Sequence, residues 1–452
     1  MGTEFSERYR PQFHFTARRG WLNDPNGLVY YGGLYHLFFQ HNPYGSEWGN
    51  MTWGHAISTD LIHWKQMEHA LLPDELGTMF SGSAVVDWNN TAGFQTGESP
   101  AIVLIYTAAG GTSLESEGKP FTQCLAYSND GGKTFTKYKD NPVLPEMAPE
   151  NRDPKVIWYE PDKKWIMALY LQKNDFALLA SPNLKEWSHL QTLTLPGCIE
   201  CPDFFEIPLE NQPEISRWVF MAANGNYLLG KFDGNHFEAE TPLLISDFGK
   251  NYYATQTFSD LPDQRRIQIA WMRGGIYPDM PFNQQMSFPC ELKLRETPEG
   301  LRLTRHPVQE IETLWKQSIQ KEPIFLDQDE HIFPIPPAEL LDLEMQLESG
   351  NSQEITIIVN AIAIRWNVPE HCLEVLDCSA PLPAEIQTLD IRILIDRTSL
   401  EIFALEGTRN FSCCTLECQT QPFILFKTAG KGAVLSRLKF RKLSSMYDLQ
   451  KE

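Results

Sequence analysis

No stretch of this chain of 452 residues approaches the roughly 18 consecutive apolar residues of a membrane-spanning helix. Its opening, MGTEFSERYR, also lacks the apolar segment of a secretion signal. A soluble protein with no leader within this sequence is therefore expected. Positive charge is scarce: 38 Lys and Arg stand against 58 Asp and Glu, a net charge of −20. That is the wrong sign for a nucleic-acid binder, which needs a basic footprint, and it reads instead as a device for solubility. Cysteine is sparse, nine residues in the whole chain. An odd number spread that thinly does not make a disulfide framework, so most are expected to be free and buried. Cys198 and Cys201 form a CxxC, but no second pair sits at zinc-ligand spacing and no βαβ pattern surrounds it. His36 and His41 lie five apart in a predicted strand and turn, so they do not share a face as a helical zinc pair would. There is no GxSxG elbow, phosphate loop or dinucleotide glycine fingerprint. Neither a metal nor a cofactor is expected.

What the chain does have is aromatic residues, at 12%, together with 31 Pro and 29 Gly, a composition that favours many short strands joined by tight turns. Five extended segments, each turning back into a second one, recur over the first 300 residues. They run from Asn26 to Gln40, Gly82 to Ala108, Pro154 to Tyr170, Asp203 to Ala222 and Ala254 to Trp271, and each predicts a β-hairpin. A second phrase follows most of them: Ser58 to Trp64 (STDLIHW), Ser128 to Phe135 (SNDGGKTF), Ser181 to Trp187 (SPNLKEW), and a shorter Asp233 to Phe237 (DGNHF). A polar turn closing on a large ring is what the outer end of a small sheet needs. Five such units at a period near 50 predict an all-β fold, a five-bladed β-propeller, over 1–300. The competing pattern is an all-β sandwich with coincidental turn signals. Beyond residue 300 the pattern changes. His306 to Gln320 reads as a short helical linker, assigned to 301–322, and alternating segments such as Leu341 to Leu347 and Leu389 to Ile395 predict a separate C-terminal β-sandwich over 323–452.

Three phrases place an acid just before the first strand of a repeat: Asp24 in WLNDPNG, Asp153 in ENRDP, and Glu200 in IECPD. In a propeller the first strand of a blade is innermost, so residues just ahead of it ring one end of the axis. Taken as equivalent positions, Asp24, Ser81, Asp153, Glu200 and Tyr253 step along the chain by about one blade each. Asp-Pro and Asn-Gly are turn formers in their own right, but three acids at one register of a repeat point to a shared pocket. Paired carboxylates among aromatic rings are the working parts of glycoside hydrolysis. The proline after Asp24 and after Asp153 is expected to hold each acid on an extended stem. Arg152 is expected to lower the pKa of Asp153 and keep it anionic, suiting it to bind sugar hydroxyls. Glu200, between Ile199 and Cys201, has the less polar neighbours and is the expected proton donor, leaving Asp24 as nucleophile.

These phrases carry a resemblance to glycoside hydrolase family 32, the β-fructofuranosidases, levanases and inulinases. Trp21 to Gly27 resembles the family's WMNDPNG with Leu22 in place of Met, a volume-conserving exchange. Arg152-Asp153-Pro154 matches its RDP motif, Glu200-Cys201 its EC motif, and Phe80 to Ser83 its FSGS, while Asp396 to Phe403 (DRTSLEIF) resembles a signature of its C-terminal sandwich. The resemblance implies a propeller followed by a sandwich, with Asp24 as nucleophile, Asp153 as transition-state stabiliser and Glu200 as acid/base. It also implies a fructose subsite lined by Asn23, Gln40, Trp48, Phe80, Ser81, Arg152 and Trp271, with Cys201 and Tyr253 close behind. Gly274 to Pro281 is expected to form a rim loop. Leu72 to Phe80 most resembles the fructan-degrading members. The implied activity is that of a retaining exo-acting β-fructosidase on levan, inulin and sucrose. A sucrose-specific invertase, a fructosyltransferase and a fructan-binding protein without catalysis are the alternatives.

Overall fold

The computed structural model describes residues 5–326, 330–416 and 420–448. All five hairpins form as antiparallel pairs. Gly20–Tyr31 pairs with Leu34–Asn42, Thr78–Asp87 with Ala101–Ala109, Arg152–Tyr159 with Lys164–Gln172, Asp203–Leu209 with Gln212–Met221, and Tyr253–Thr257 with Arg266–Trp271. In the first four, a third strand and a fourth, short in all but blade three, complete a blade. In the fifth, Cys290–Thr297 and Gly300–Pro307 take those places.

The repeated turn phrase has a physical role in blades one, two and three. Asp60 Oδ1 accepts from the amides of Ile62 and His63, Asp130 Oδ1 from Lys133 and Thr134, and Asn183 Oδ1 from Lys185 and Glu186. The indoles of Trp64 and Trp187 then donate to Leu61 O and Leu184 O, both at 2.9 Å. Each phrase thus satisfies its own turn amides and folds a ring over the last short strand.

The first strands of different blades are tied to one another. Tyr30 N donates to Ser259 O at 3.0 Å and Ser259 N to Leu28 O at 2.9 Å, joining blade one to blade five. Ser83 Oγ donates to Pro154 O and accepts from Val156 N, both at 2.9 Å, joining blades two and three. Blades three, four and five meet at a buried ion pair: Lys155 Nζ lies 3.1 Å from Asp203 Oδ1 and donates to Thr257 O at 2.7 Å, while Asp203 Oδ2 accepts from Thr257 N at 2.7 Å. Polar groups fill the axis because five strand edges converge there and their donors and acceptors must be paired away from water.

The helical reading of 306–320 is corrected. His306 lies in the fifth blade's outer strand, only Gln309–Leu314 forms a 3₁₀ turn, and Trp315–Lys321 is a strand paired with Ala433–Leu443. That last pairing belongs to the second body, a seven-stranded sheet facing a six-stranded one across an aliphatic core. Leu341–Glu348 and Thr388–Asp396 alternate as expected, with one face in that core. The two bodies are joined by buried charge. His14 lies between Asp396, at 2.9 Å, and Glu401, at 2.7 Å, both in the DRTSLEIF phrase. Within the propeller, Arg305 of blade five pairs with Asp247 at 2.7 Å, and the pair reaches the second body where Asp247 Oδ2 accepts from Ser412 Oγ at 2.8 Å and Arg305 lies 3.9 Å from Glu401. Eight cysteines of the described residues are free, and Cys418 lies outside those residues.

Candidate active site

The first strands break their ladders where the implicated residues sit. Pairing shifts between Leu22 and Pro25, between Phe80 and Gly82, opposite Asp153, and between Tyr253 and Gln256. Such bulges swing a side chain out of the sheet's alternation and towards the axis. Asp153, Glu200, Cys201 and Ala254 also have positive φ values of 64°, 58°, 39° and 52°, a sparsely populated conformation that costs about 1–3 kcal/mol each and that the surrounding fold must enforce. The extended stem expected before Pro154 is therefore corrected: Asp153 is in the left-handed half of φ.

Together these residues line one cavity of about 760 Å³ at the end of the propeller axis. Asn23, Asp24, Gln40, Trp48, Phe80, Ser81, Arg152, Asp153, Glu200, Tyr253 and Trp271 are all on its wall. Cys201 lies just beneath, with its thiol 3.5 Å from Asp24 Oδ2 and 3.4 Å from Asp153 Oδ2. Arg152 continues the chain of contacts, with Nε 3.8 Å from Asp153 Oδ2 and Nη2 donating to Glu200 Oε1 at 3.0 Å. Tyr253 OH donates to Glu200 Oε2 at 3.2 Å. Three carboxylates up to 176 positions apart are thus connected through one thiol and one guanidinium.

Asp24 is held at both oxygens. Oδ2 accepts from Ser81 Oγ at 2.6 Å, and Oδ1 accepts from Asn23 Nδ2 at 3.1 Å. Burial pushes its pKa up, against these hydrogen bonds, and the charge on Glu200 adds to the rise. Asp153 is pushed up to about 7: burial outweighs Arg152, and the charges of Glu200 and Asp24 add to it. The expectation that Arg152 would lower this group is corrected. Arg152 does act in that direction, but a carboxyl sealed in a floor shared with two other carboxylates is dominated by desolvation and like charge. Glu200 also differs from its sequence surroundings, since its partners in space are a guanidinium and a phenol. Burial raises the Cys201 thiol well above its ordinary value, so it remains a donor to the two aspartates. Arg152 stays charged: burial opposes this, and Asp153 and Glu200 outweigh it.

Several lining residues went unread in the sequence. Trp21 donates through Nε1 to Asn23 Oδ1 at 2.8 Å and sets its ring edge-on to Trp271. Its place inside the WLNDPNG phrase was the available signal. Arg273 lies over the Tyr253 ring at 4.6 Å, and Gln284 accepts from Trp271 Nε1 at 3.0 Å. Phe121 backs Phe80, whose ring meets Trp48 edge-on. Arg273, Gln284 and Phe121 lie on later strands and loops of their repeats and carried no phrase of their own. Asn26 works one layer down. With its amide turned to satisfy both groups, its nitrogen donates to Ser81 Oγ and its oxygen accepts from Gln40 Nε2. Of the expected rim loop, Gly274 reaches the cavity, whereas Tyr277 is buried and donates to Gln285 Oε1 at 2.8 Å.

Residues 14–307 match the family model for the glycosyl hydrolases family 32 N-terminal domain. A levanase of Bacillus subtilis (strain 168) is 35% identical over 98% of this chain and 72% of its own length. Invertase 1 of Saccharomyces cerevisiae is 38% identical over 69% of this chain and 63% of its own length. The crystal structure of exo-inulinase from Aspergillus awamori superposes with a TM-score of 0.86 at 25% identity, covering 98% of this chain and 100% of that one.

Proposed function

The chain belongs to glycoside hydrolase family 32, and on that premise we propose that it is a retaining, exo-acting β-fructosidase that removes terminal β-D-fructofuranosyl units from levan and inulin, and from sucrose. Family membership makes it a hydrolase of fructosides. The observation that carries the finer reading is the linked set Asp24, Cys201, Asp153, Arg152 and Glu200 at the bottom of a sugar-sized cavity. A cavity floored by buried carboxylates admits a chain end more readily than a chain middle, which supports exo action. Likeness to a levanase over nearly the whole chain, and the phrase Leu72 to Phe80, support fructan as substrate.

In the first step Asp24 attacks the anomeric carbon of the fructosyl unit as the bond to the leaving oxygen breaks, and Glu200 gives that oxygen its proton. Oδ1, held by Asn23, is the attacking atom, because Oδ2 accepts from both Ser81 and Cys201. In the second step Glu200 takes a proton from water, the water oxygen bonds to the anomeric carbon, and Asp24 leaves as a carboxylate. Two displacements at one centre retain its configuration. Asp153 accepts hydrogen bonds from fructose hydroxyls as positive charge develops on the ring. The rings of Trp48, Phe80 and Trp271 offer apolar faces to the sugar's C–H surface. We assign this chemistry to the propeller, and place its division from the sandwich within the turn Gln309–Leu314.

The test is a product profile on levan, inulin and sucrose, run for the wild type and for Asp24→Asn and Glu200→Gln. Free fructose from the chain end is expected, with turnover reduced by about a hundred- to ten-thousandfold in Glu200→Gln and at least as much in Asp24→Asn. Near-normal turnover in either variant overturns the residue roles. Oligosaccharides accumulating at high sucrose overturn hydrolysis in favour of transfer.

A further inference from the structure

At the other end of the propeller axis lies a second cavity, of about 360 Å³, bounded by the far ends of the first strands of blades two, three and four and by Ser259, Asp260 and Arg266 of blade five. Its chemistry is that of a sugar site. Trp88 is 59% exposed, yet its indole is fixed: Nε1 donates to Asp260 Oδ1 at 2.8 Å, and Asp260 Oδ2 accepts from Val86 N at 3.1 Å. Asp260 adopts a φ of 62° to reach both donors. Trp158, half-buried on the same wall, is fixed in the same way, its Nε1 donating to Glu160 Oε2 at 2.6 Å and its ring edge-on to the buried Trp165. Arg266 donates to the Glu206 carbonyl at 3.1 Å and lies over the Phe205 ring.

A large exposed indole loses apolar burial, and ordering it costs side-chain entropy as well. Two indoles clamped by carboxylates on one cavity therefore make a preorganised surface for the C–H face of a ring ligand. Glu160, Glu206 and Asp260 outnumber Arg266 around this cavity, which disfavours an anionic ligand. Rings together with carboxylates and arginines also make up the catalytic cavity. We propose that this far cavity is a second carbohydrate-binding site that holds a segment of neutral fructan, anchored on Trp88 and Trp158, at the propeller mouth opposite the catalytic one. Its choice of ligand rests on the fructosidase reading, and its chemistry would take a neutral glycan in any case. A polymeric substrate engaged there gains a second point of attachment, whereas sucrose gains nothing.

The experiment is native gel electrophoresis through gels containing inulin, levan or, as a control, dextran. It uses the full chain carrying Asp24→Asn so that the polymer is not consumed. Trp88→Ala and Trp158→Ala, each added to that background, are expected to weaken retention in fructan gels by about five- to tenfold. In the Asp24 protein the same two substitutions should leave sucrose kcat/KM within about twofold, which also shows that the fold is intact. Retention unchanged in both variants, or no retention of the parent, overturns the second site. Equal retention by dextran overturns fructan as its ligand. The fructosidase reading fails separately, if the Asp24 protein releases no fructose from any of the three substrates.

Discussion

Cys201 shows how far a side chain's role departs from its sequence surroundings. Read along the chain it is an apolar neighbour of Glu200; in space its thiol supports the two aspartates and keeps its proton. Cys201→Ala removes a donor that lowers the Asp24 pKa. The acid limb of the kcat/KM profile is therefore expected to move to higher pH than in the wild type, and an unmoved limb contradicts that role. Asp153 makes the complementary case for stability. Its folded pKa near 7 lies above the ordinary 3.8, so its contribution is fully present below about pH 4 and is lost as pH rises through 7. Asp153→Asn removes the charged form that is costly to bury. Its melting temperature should exceed that of the wild type at about pH 8, and the gap should close towards pH 4. The residue types of the site were legible as three acids at one register, with family motifs around them. Their protonation was not, because desolvation by residues distant in sequence outweighs an adjacent arginine.

At the scale of elements, the hairpins and the turn phrases were readable because each is locally self-sufficient: alternation sets the strand, and a Ser-x-Asp or Ser-x-Asn turn satisfies its own amides. The segment from His306 to Gln320 misled for a definite reason. Val308, Ile311 and Leu314 recur at a helix-like spacing, and a single 3₁₀ turn is enough to bury all three. Strand pairing with Ala433–Leu443 then claims the rest, and that partner lies more than a hundred residues away. The ring of first strands is likewise held by contacts that no local pattern announces, above all Lys155 with Asp203 and Thr257. Lys155→Met leaves Asp203 buried without its cation and should cost about 3–5 kcal/mol in urea unfolding. A loss below about 1 kcal/mol would show that the axis does not depend on the pair.

Across the whole molecule, the sandwich is fastened to the propeller through buried charge. His14, Asp396 and Glu401 are 382 and 387 positions apart, which is why the DRTSLEIF phrase could be matched to a family but not to a function. His14 is raised to about 9: burial opposes its charge, and hydrogen bonds and attraction from Asp396 and Glu401 outweigh it. Its folded value lies above the ordinary 6.5, so its stabilisation is fully present below about pH 6.5 and is lost as pH rises through 9. His14→Gln should therefore lower the melting temperature most near pH 6 and progressively less as pH rises from about 6.5 to 9, and a loss independent of pH would contradict the ionic latch. Packing the first strands side by side is also what brings Asp24 and Glu200 to one cavity. The measurement that tests this most directly is peptide mapping of Glu200→Gln, acid-quenched during reaction with an activated fructosyl donor. One added fructosyl unit on the peptide carrying Asp24 is predicted. A label on another residue, or steady turnover with no labelled protein at any time, contradicts the account.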